Sequence, residues 1–163
     1  MSTLASAVLG GVDGVVTSFA IAAGAFAGGL DARAVSVVGF SSLAADGLSM
    51  GASEYLSVSA ERALRLKQEA PPPPPLVLPR RAGAVCFASF VACGAPVILL
   101  AVYASSLLVC TAVSLLELAL LGMARACTSG EPLHVGLGQT VLLGAGAGGV
   151  AYGVGRLVEA AAA

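Results

Sequence analysis

Five apolar segments, each long enough to cross a bilayer, dominate this sequence of 163 residues. A membrane-spanning helix needs about 20 mainly apolar residues, and the segments cover about residues 4–30, 34–59, 82–103, 105–124 and 133–157. Charged residues make up only 10% of the chain, against roughly 25% in soluble domains. A soluble fold of this size cannot bury so much apolar surface, so we predict an all-α membrane protein with five transmembrane helices.

The second helix is predicted to continue as a polar extension to residue 69, just before five prolines at positions 71–75. Proline lacks the backbone donor that a helix needs and clashes with the preceding turn, so the helix must end there. We expect residues 70–81 to form a proline-rich linker with a stiff polyproline II segment. Residues 1–163 then form a single transmembrane domain.

Basic residues predict the orientation of the chain. Six lie at one end of the predicted bundle, namely Arg62, Arg65, Lys67, Arg80, Arg81 and Arg125. Arg33 and Arg156 lie at the opposite end. Because positive charge accumulates on the cytoplasmic side, the linker and the N-terminus should be cytoplasmic and the C-terminus lumenal. The first segment lacks the basic start of a signal peptide, so we interpret it as a retained span.

Several classes of function are disfavoured. The net charge of −1 provides no basic face for nucleic acid. The four cysteines have no CxxC spacing, so we interpret them as small apolar residues. We find no nucleophile–base set and no cofactor motif, so we expect neither an enzyme nor a bound cofactor.

Four acids lie within the apolar segments: Asp13, Asp46, Glu54 and Glu117. A charged acid near the bilayer centre costs roughly 2.5 to 3.5 kcal/mol on insertion scales. The interiors of the segments hold no basic residue to pair with these acids. They must therefore be protonated, hydrated or bound to a cation, and a path for cations or protons accommodates all three states.

The spacing of these residues suggests a metal path. Asp46, Met50 and Glu54 are four residues apart and form one stripe about 12 Å long, with Ser42 beside it, while Asp13 and Thr17 pair in the same way. Carboxylate oxygens together with a thioether favour Fe²⁺, with Mn²⁺, Co²⁺ or Zn²⁺ as alternatives. Met50 could instead fill the core, and Glu54 could reach toward the membrane surface. Glycines at four-residue spacing, such as Gly10 and Gly14, indicate a compact bundle with a helix-packed dimer interface.

Four stretches resemble the vacuolar iron transporter family. They are "GGVDGVVTSFAIAAG" (10–24), "LAADGLSMGASEYLS" (43–57), "CGAPVILL" (93–100) and "GAGAGGVAYGVGRLV" (144–158). The resemblance implies a homodimer formed through helix one, with a metal path between helices one and two. It implies transport of Fe²⁺, and of Mn²⁺ in many members, from the cytosol into a vacuole or similar store by proton antiport. It assigns Asp13 as a metal or proton ligand and Met50 as a metal ligand, and Asp46 and Glu54 match acidic positions in parts of the family.

The chain also departs from the family pattern. Val12 replaces an asparagine, Ala5 and Ser6 stand where many members have Arg-Asp, and Ser42 replaces a glutamate. Residues 60–81 are too few for the cytosolic metal-binding domain, which leaves Glu61 and Glu69 as candidate cytosolic ligands. The sequence therefore resembles the short nodulin-21-like branch. Two alternatives stay open, a proton or small-solute channel and a membrane scaffold that transports nothing.

Overall fold

The computed structural model describes residues 3–67, 78–104 and 106–162. Regular structure in these residues is entirely helical: α1 (Thr3–Ala27), α2 (Ala32–Lys67), α3 (Pro79–Tyr103), α4 (Leu107–Ser129) and α5 (Leu133–Ala162). All five helices are long and apolar enough to cross a membrane. The prediction of an all-α protein with five membrane-spanning helices is confirmed.

Short turn signals explain where several helices begin and end. Gly29 and Gly130 have φ angles of 64° and 71°, a left-handed conformation that glycine adopts without a steric penalty. They follow the ends of α1 and α4, respectively. Asp31 precedes α2, and its Oδ1 accepts a hydrogen bond of 2.7 Å from the backbone N–H of Ala34. This contact satisfies one of the donors that a helix start leaves free.

Several helix bounds extend beyond the prediction, and α5 ends at Ala162 rather than 157. α4 continues to Ser129 rather than 124 because Gly130 is the first residue after it with left-handed geometry. α3 begins at Pro79, so the last residues of the predicted linker 70–81 are helical. Proline is tolerated in the first helical turn because its missing N–H would be unbonded there anyway. The predicted polyproline segment at 71–75 lies outside the described residues.

α1 lies at the centre of the bundle and contacts the other four helices. α2 packs on α3, and α4 packs on α5. Val15 and Phe19 of α1 meet Val97 of α3 and Leu118 of α4 in the main apolar core. α1 is therefore the element whose orientation decides what faces the interior.

Glycines allow these helices to approach to backbone contact. A Cβ on Gly10 would lie 2.1 Å from the carbonyl oxygen of Cys86, and one on Gly14 would lie 2.2 Å from that of Phe90. A Cβ on Gly148 of α5 would lie 2.2 Å from the Phe19 ring. These glycines therefore serve packing within one protomer. Gly149 and Gly153 face open space, and the predicted dimer contact stays a prediction.

α2 is longer than a membrane-spanning helix needs to be. Its 36 residues would extend about 54 Å at 1.5 Å per residue, whereas the hydrocarbon core is about 30 Å thick. Its last turns are also rich in charge, with Arg65 and Lys67 in the final turn. The end of α2 therefore projects beyond the apolar part of the bundle.

Candidate metal path

Asp13 of α1 and Met50 of α2 line the same cleft, which has a volume of about 620 Å³. The two side chains come from different helices, and both are half-buried. The remaining lining residues are Val8, Leu9, Val12, Val16, Arg125, Gln139, Thr140 and Leu143. One carboxylate and one thioether thus share an otherwise mainly apolar surface.

The packing of α1 against α3 sets the direction of Asp13. Gly10 and Gly14 lie against the α3 backbone, and Asp13 is on an adjoining face of the same helix, which stays partly open. Met50 contacts the smaller apolar cluster formed by Leu43, Phe90 and Ile98. This contact restricts the side chain from one side and leaves the other side in the cleft.

Three further polar residues of the cleft come from α4 and α5. Thr140 is buried, and its hydroxyl donates to the Gly136 carbonyl at 2.8 Å. Arg125 forms an ion pair of 3.3 Å with Glu131. Gln139 is exposed and also lines the cleft from α5. Sequence reasoning used Arg125 only for orientation and missed Gln139, whose signal was a lone amide within an apolar run.

The predicted stripe on α2 is twisted around the helix. Each step of four residues advances about 400°, so Glu54 lies about 80° around the axis from Asp46. The consequence is a clear difference in burial. Glu54 is only 4% exposed, Met50 is half-buried, and Asp46 is exposed. Met50 is the member of the stripe that lines the cleft.

Glu54 makes a buried contact between α2 and α1. The Ser6 hydroxyl donates a hydrogen bond of 2.6 Å to its Oε1, and Ser6 itself is fully buried. This pair joins the start of α1 to the later part of α2, outside the set of residues that line the cleft. The Ser6 hydroxyl thus provides the hydrogen-bond donor that the buried Glu54 carboxyl requires.

The other candidate ligands lie outside the cleft as well. Asp46 accepts a hydrogen bond from the Ser42 hydroxyl, and Thr17 is half-buried one turn after Asp13. Glu61 forms an ion pair with Arg65. Within residues 3–67, 78–104 and 106–162, no three His, Cys, Asp or Glu side chains come together as a metal site. One protomer therefore brings together only part of a coordination shell.

Replacing Ser6 with alanine should destabilise the bundle by about 1–3 kcal/mol, because the buried Glu54 carboxyl would lose its hydrogen-bond donor. Thermal unfolding in detergent measures the change. Ser41→Ala is the matched control, since Ser41 is exposed on α2. Equal unfolding temperatures for the two variants would contradict a stabilising role for the Ser6–Glu54 contact.

The VIT family model matches the chain in two segments, residues 4–71 and 64–156. These segments contain Asp13, Met50 and the α5 side of the cleft. The chain belongs to the VIT family. This result confirms the resemblance drawn from the sequence motifs.

A curated relative agrees with the assignment to the VIT family. A protein of Toxoplasma gondii named "Vacuolar iron transporter" is 49% identical over 55 residues. The match covers 34% of this chain and 18% of that protein, so the chain spans less than a fifth of the relative's length. VIT membership and five apolar helices identify an integral, multi-pass protein of the vacuole or another endomembrane.

Proposed function

We propose that this VIT-family chain transports a divalent metal, Fe²⁺ or Mn²⁺, from the cytosol into a vacuole-like compartment in exchange for protons. The observation that carries the proposal is the meeting of Asp13 and Met50 in one cleft of an apolar bundle. A carboxylate suits hard and borderline cations, and a thioether favours softer transition metals over Mg²⁺ or Ca²⁺. The name of the Toxoplasma relative supports the same class of cargo.

A second copy of the chain would complete the coordination shell. One protomer supplies one carboxylate, one thioether and the Gln139 amide oxygen to the cleft, fewer ligands than an octahedral cation requires. A homodimer formed through the open face of α1 would double this set around the dimer axis. The resemblance to the family supports that arrangement, and we include it in the proposal.

Competition between protons and metal for the same carboxylates would couple the movement of metal into the compartment to the movement of protons out of it. Metal binding requires a deprotonated ligand, so protons from an acidic lumen displace the cation, and neutral cytosol favours loading. Metal would approach from the Glu61 end of α2, where the basic residues predict the cytoplasmic side. Asp46 lies within electrostatic range of Asp13 and extends the path, whereas we assign Glu54 a packing role through Ser6.

The proposal predicts saturable uptake of Fe²⁺ or Mn²⁺ into proteoliposomes with an acidic interior, measured with radioactive metal. Uptake should fall sharply when a protonophore collapses the proton gradient, because protons leaving the liposome would no longer drive metal inward. Liposomes without protein are the control. Several divalent cations in competition at two internal pH values would rank the cargo.

Other outcomes would favour the remaining alternatives. Proton or solute flux that does not saturate and does not respond to metal would indicate a channel. A scaffold would show no uptake and no thermal stabilisation by Fe²⁺ or Mn²⁺ in detergent, because a ligand that binds only the folded state raises its apparent stability. Either result contradicts the proposed transport.

A further inference from the structure

Glu117 is a second intramembrane acid, separate from the cleft. It lies near the middle of α4 and is half-buried. Its Oε2 is buried and has no hydrogen-bond partner among the described residues. Buried polar atoms are nearly always hydrogen-bonded, so an unpartnered carboxyl oxygen at this depth needs an explanation.

Two other buried polar atoms are unpartnered in the bundle. The Ser114 hydroxyl is on the same face of α4, one turn before Glu117. The Ser18 hydroxyl lies on α1 beside Gly94 of α3. Both serines are at most 1% exposed, and neither hydroxyl has a partner among the described residues. The interior of the bundle therefore contains several polar atoms with unused hydrogen-bonding capacity, two of them on one face of α4.

Few titratable groups face Glu117. The titratable group of α3 that faces Glu117 is the Cys93 thiol, which lies within electrostatic range of the Glu117 carboxyl. Asp13, the titratable residue of α1, lies on another face and lines the metal cleft. α5 has no titratable residue between His134 and Tyr152. On α4 itself, the buried Cys110 lies two turns before Glu117 on the same face, and Arg125 lies two turns after it and pairs with Glu131.

We propose that Glu117 is a proton-binding carboxyl inside the bundle, separate from the residues that bind metal. Without a basic partner nearby, the neutral form is favoured in apolar surroundings. Neither Glu117 Oε2 nor the Ser114 hydroxyl has a hydrogen-bond partner among the described residues. No side-chain donor therefore stabilises a charge on that carboxylate oxygen, and proton binding there is favoured.

This inference rests on the proposed function in one respect, since a proton carried by Glu117 would belong to the antiport cycle. In that cycle a proton would add to a carboxylate oxygen of Glu117 from the acidic side and leave to water on the cytosolic side. Metal would bind in the Asp13–Met50 cleft, where protons compete with it at Asp13. Glu117 would be an additional proton site, and because it lies outside that cleft, removing it would leave metal binding intact.

Labelling of the wild-type protein in liposomes tests the proton site without any transport. Dicyclohexylcarbodiimide adds to protonated carboxyl groups in apolar surroundings, and peptide mass spectrometry locates the adduct. We expect an adduct at Glu117 whose yield falls as the pH is raised over the range in which the protein stays folded. Absence of an adduct at Glu117 across this range would overturn the inference.

Glu117→Gln, which keeps the side-chain shape, tests the role in coupling. We expect this variant to retain thermal stabilisation by Mn²⁺ but to move fewer protons per metal ion than the wild type, measured with a pH-sensitive dye inside liposomes. Glu159→Gln is the control, because Glu159 is exposed and pairs with Arg156. Unchanged proton movement in Glu117→Gln would overturn the inference. If wild-type protein moved no metal, the proposed function would fail, while labelling would still decide whether Glu117 binds a proton.

Discussion

Asp13→Asn should abolish metal uptake into proteoliposomes, and Met50→Leu should reduce it by more than about tenfold. Asparagine removes the anionic oxygen that the cleft offers to a cation, and leucine keeps the volume of methionine but removes its sulfur. Mutation of a residue that only hydrogen-bonds to a metal ligand typically lowers metal affinity or activity by about 10- to 100-fold. Removing a ligand itself should cost at least as much. Initial rates of radioactive Mn²⁺ uptake at several concentrations measure both effects.

Matched controls separate loss of a ligand from loss of the fold. Met123→Leu makes the same exchange at a half-buried methionine of α4 outside the cleft. Glu159→Gln neutralises an acid at the exposed end of α5. Both controls should transport as the wild type does, and all four variants should elute from size-exclusion chromatography alike. Normal uptake by Asp13→Asn and Met50→Leu together would remove the proposed metal path.

Gly14→Ala should strongly destabilise the protein. Its new Cβ would lie 2.2 Å from the Phe90 carbonyl oxygen and 2.9 Å from two more backbone atoms of that residue. Backbone cannot rotate away as a flexible side chain can, so α1 and α3 would have to separate. Overpacking a well-packed interior typically costs about 1–3 kcal/mol and sometimes more. We expect a lower unfolding temperature in detergent and a smaller yield of monodisperse protein.

Gly149→Ala is the matched control for Gly14→Ala. Both are glycines within apolar helices, but a Cβ on Gly149 meets nothing within 4 Å. Alanine also has the higher helix propensity, so this variant should be as stable as the wild type or slightly more so. Equal destabilisation of the two variants would show that helix propensity or lipid contact, rather than the α1–α3 approach, decides the effect.

The metal path and the stability of the bundle depend on one another. Gly10 and Gly14 hold α1 against the backbone of α3, and this contact leaves Asp13 on the face that opens into the cleft. A variant that moves α1 away from α3 should therefore impair uptake even when it is purified as a folded protein. For this reason, uptake by any α1 variant has to be compared at equal amounts of folded protein.

The sequence predicted the class of protein and the number of helices well. Each span depends on local properties, since apolar length over about 20 residues decides whether a segment crosses the bilayer. The same local reasoning selected Asp13 and Met50 as candidates, because an acid and a thioether stand out in an apolar run, and their metal-binding role stays a prediction. It was less accurate for helix ends such as Ser129, where the conformation of Gly130 determines the last turn.

The sequence was less informative about which polar residues share a site. Four-residue spacing placed Asp46, Met50 and Glu54 together, but the turn-by-turn drift of an α-helix separates their directions. Gln139 was missed because it lies some 90 positions after Met50, and nothing local connects the two. Glu54 was interpreted as a metal ligand, and its hydrogen bond to Ser6 depends on a contact across 48 positions of the chain.

The sequence by itself determined that this protein lies in a membrane, that five helices cross it, and that four acids lie within the spans. These properties follow from the transfer of individual segments from water to hydrocarbon, to which each residue contributes nearly independently. Only the tertiary structure decided that Asp13 and Met50 face one cleft, that Glu54 faces Ser6, and that Glu117 lies apart from both. The rotation of each helix is fixed by contacts between residues far apart in the chain, above all by the glycines that bring α1 against α3.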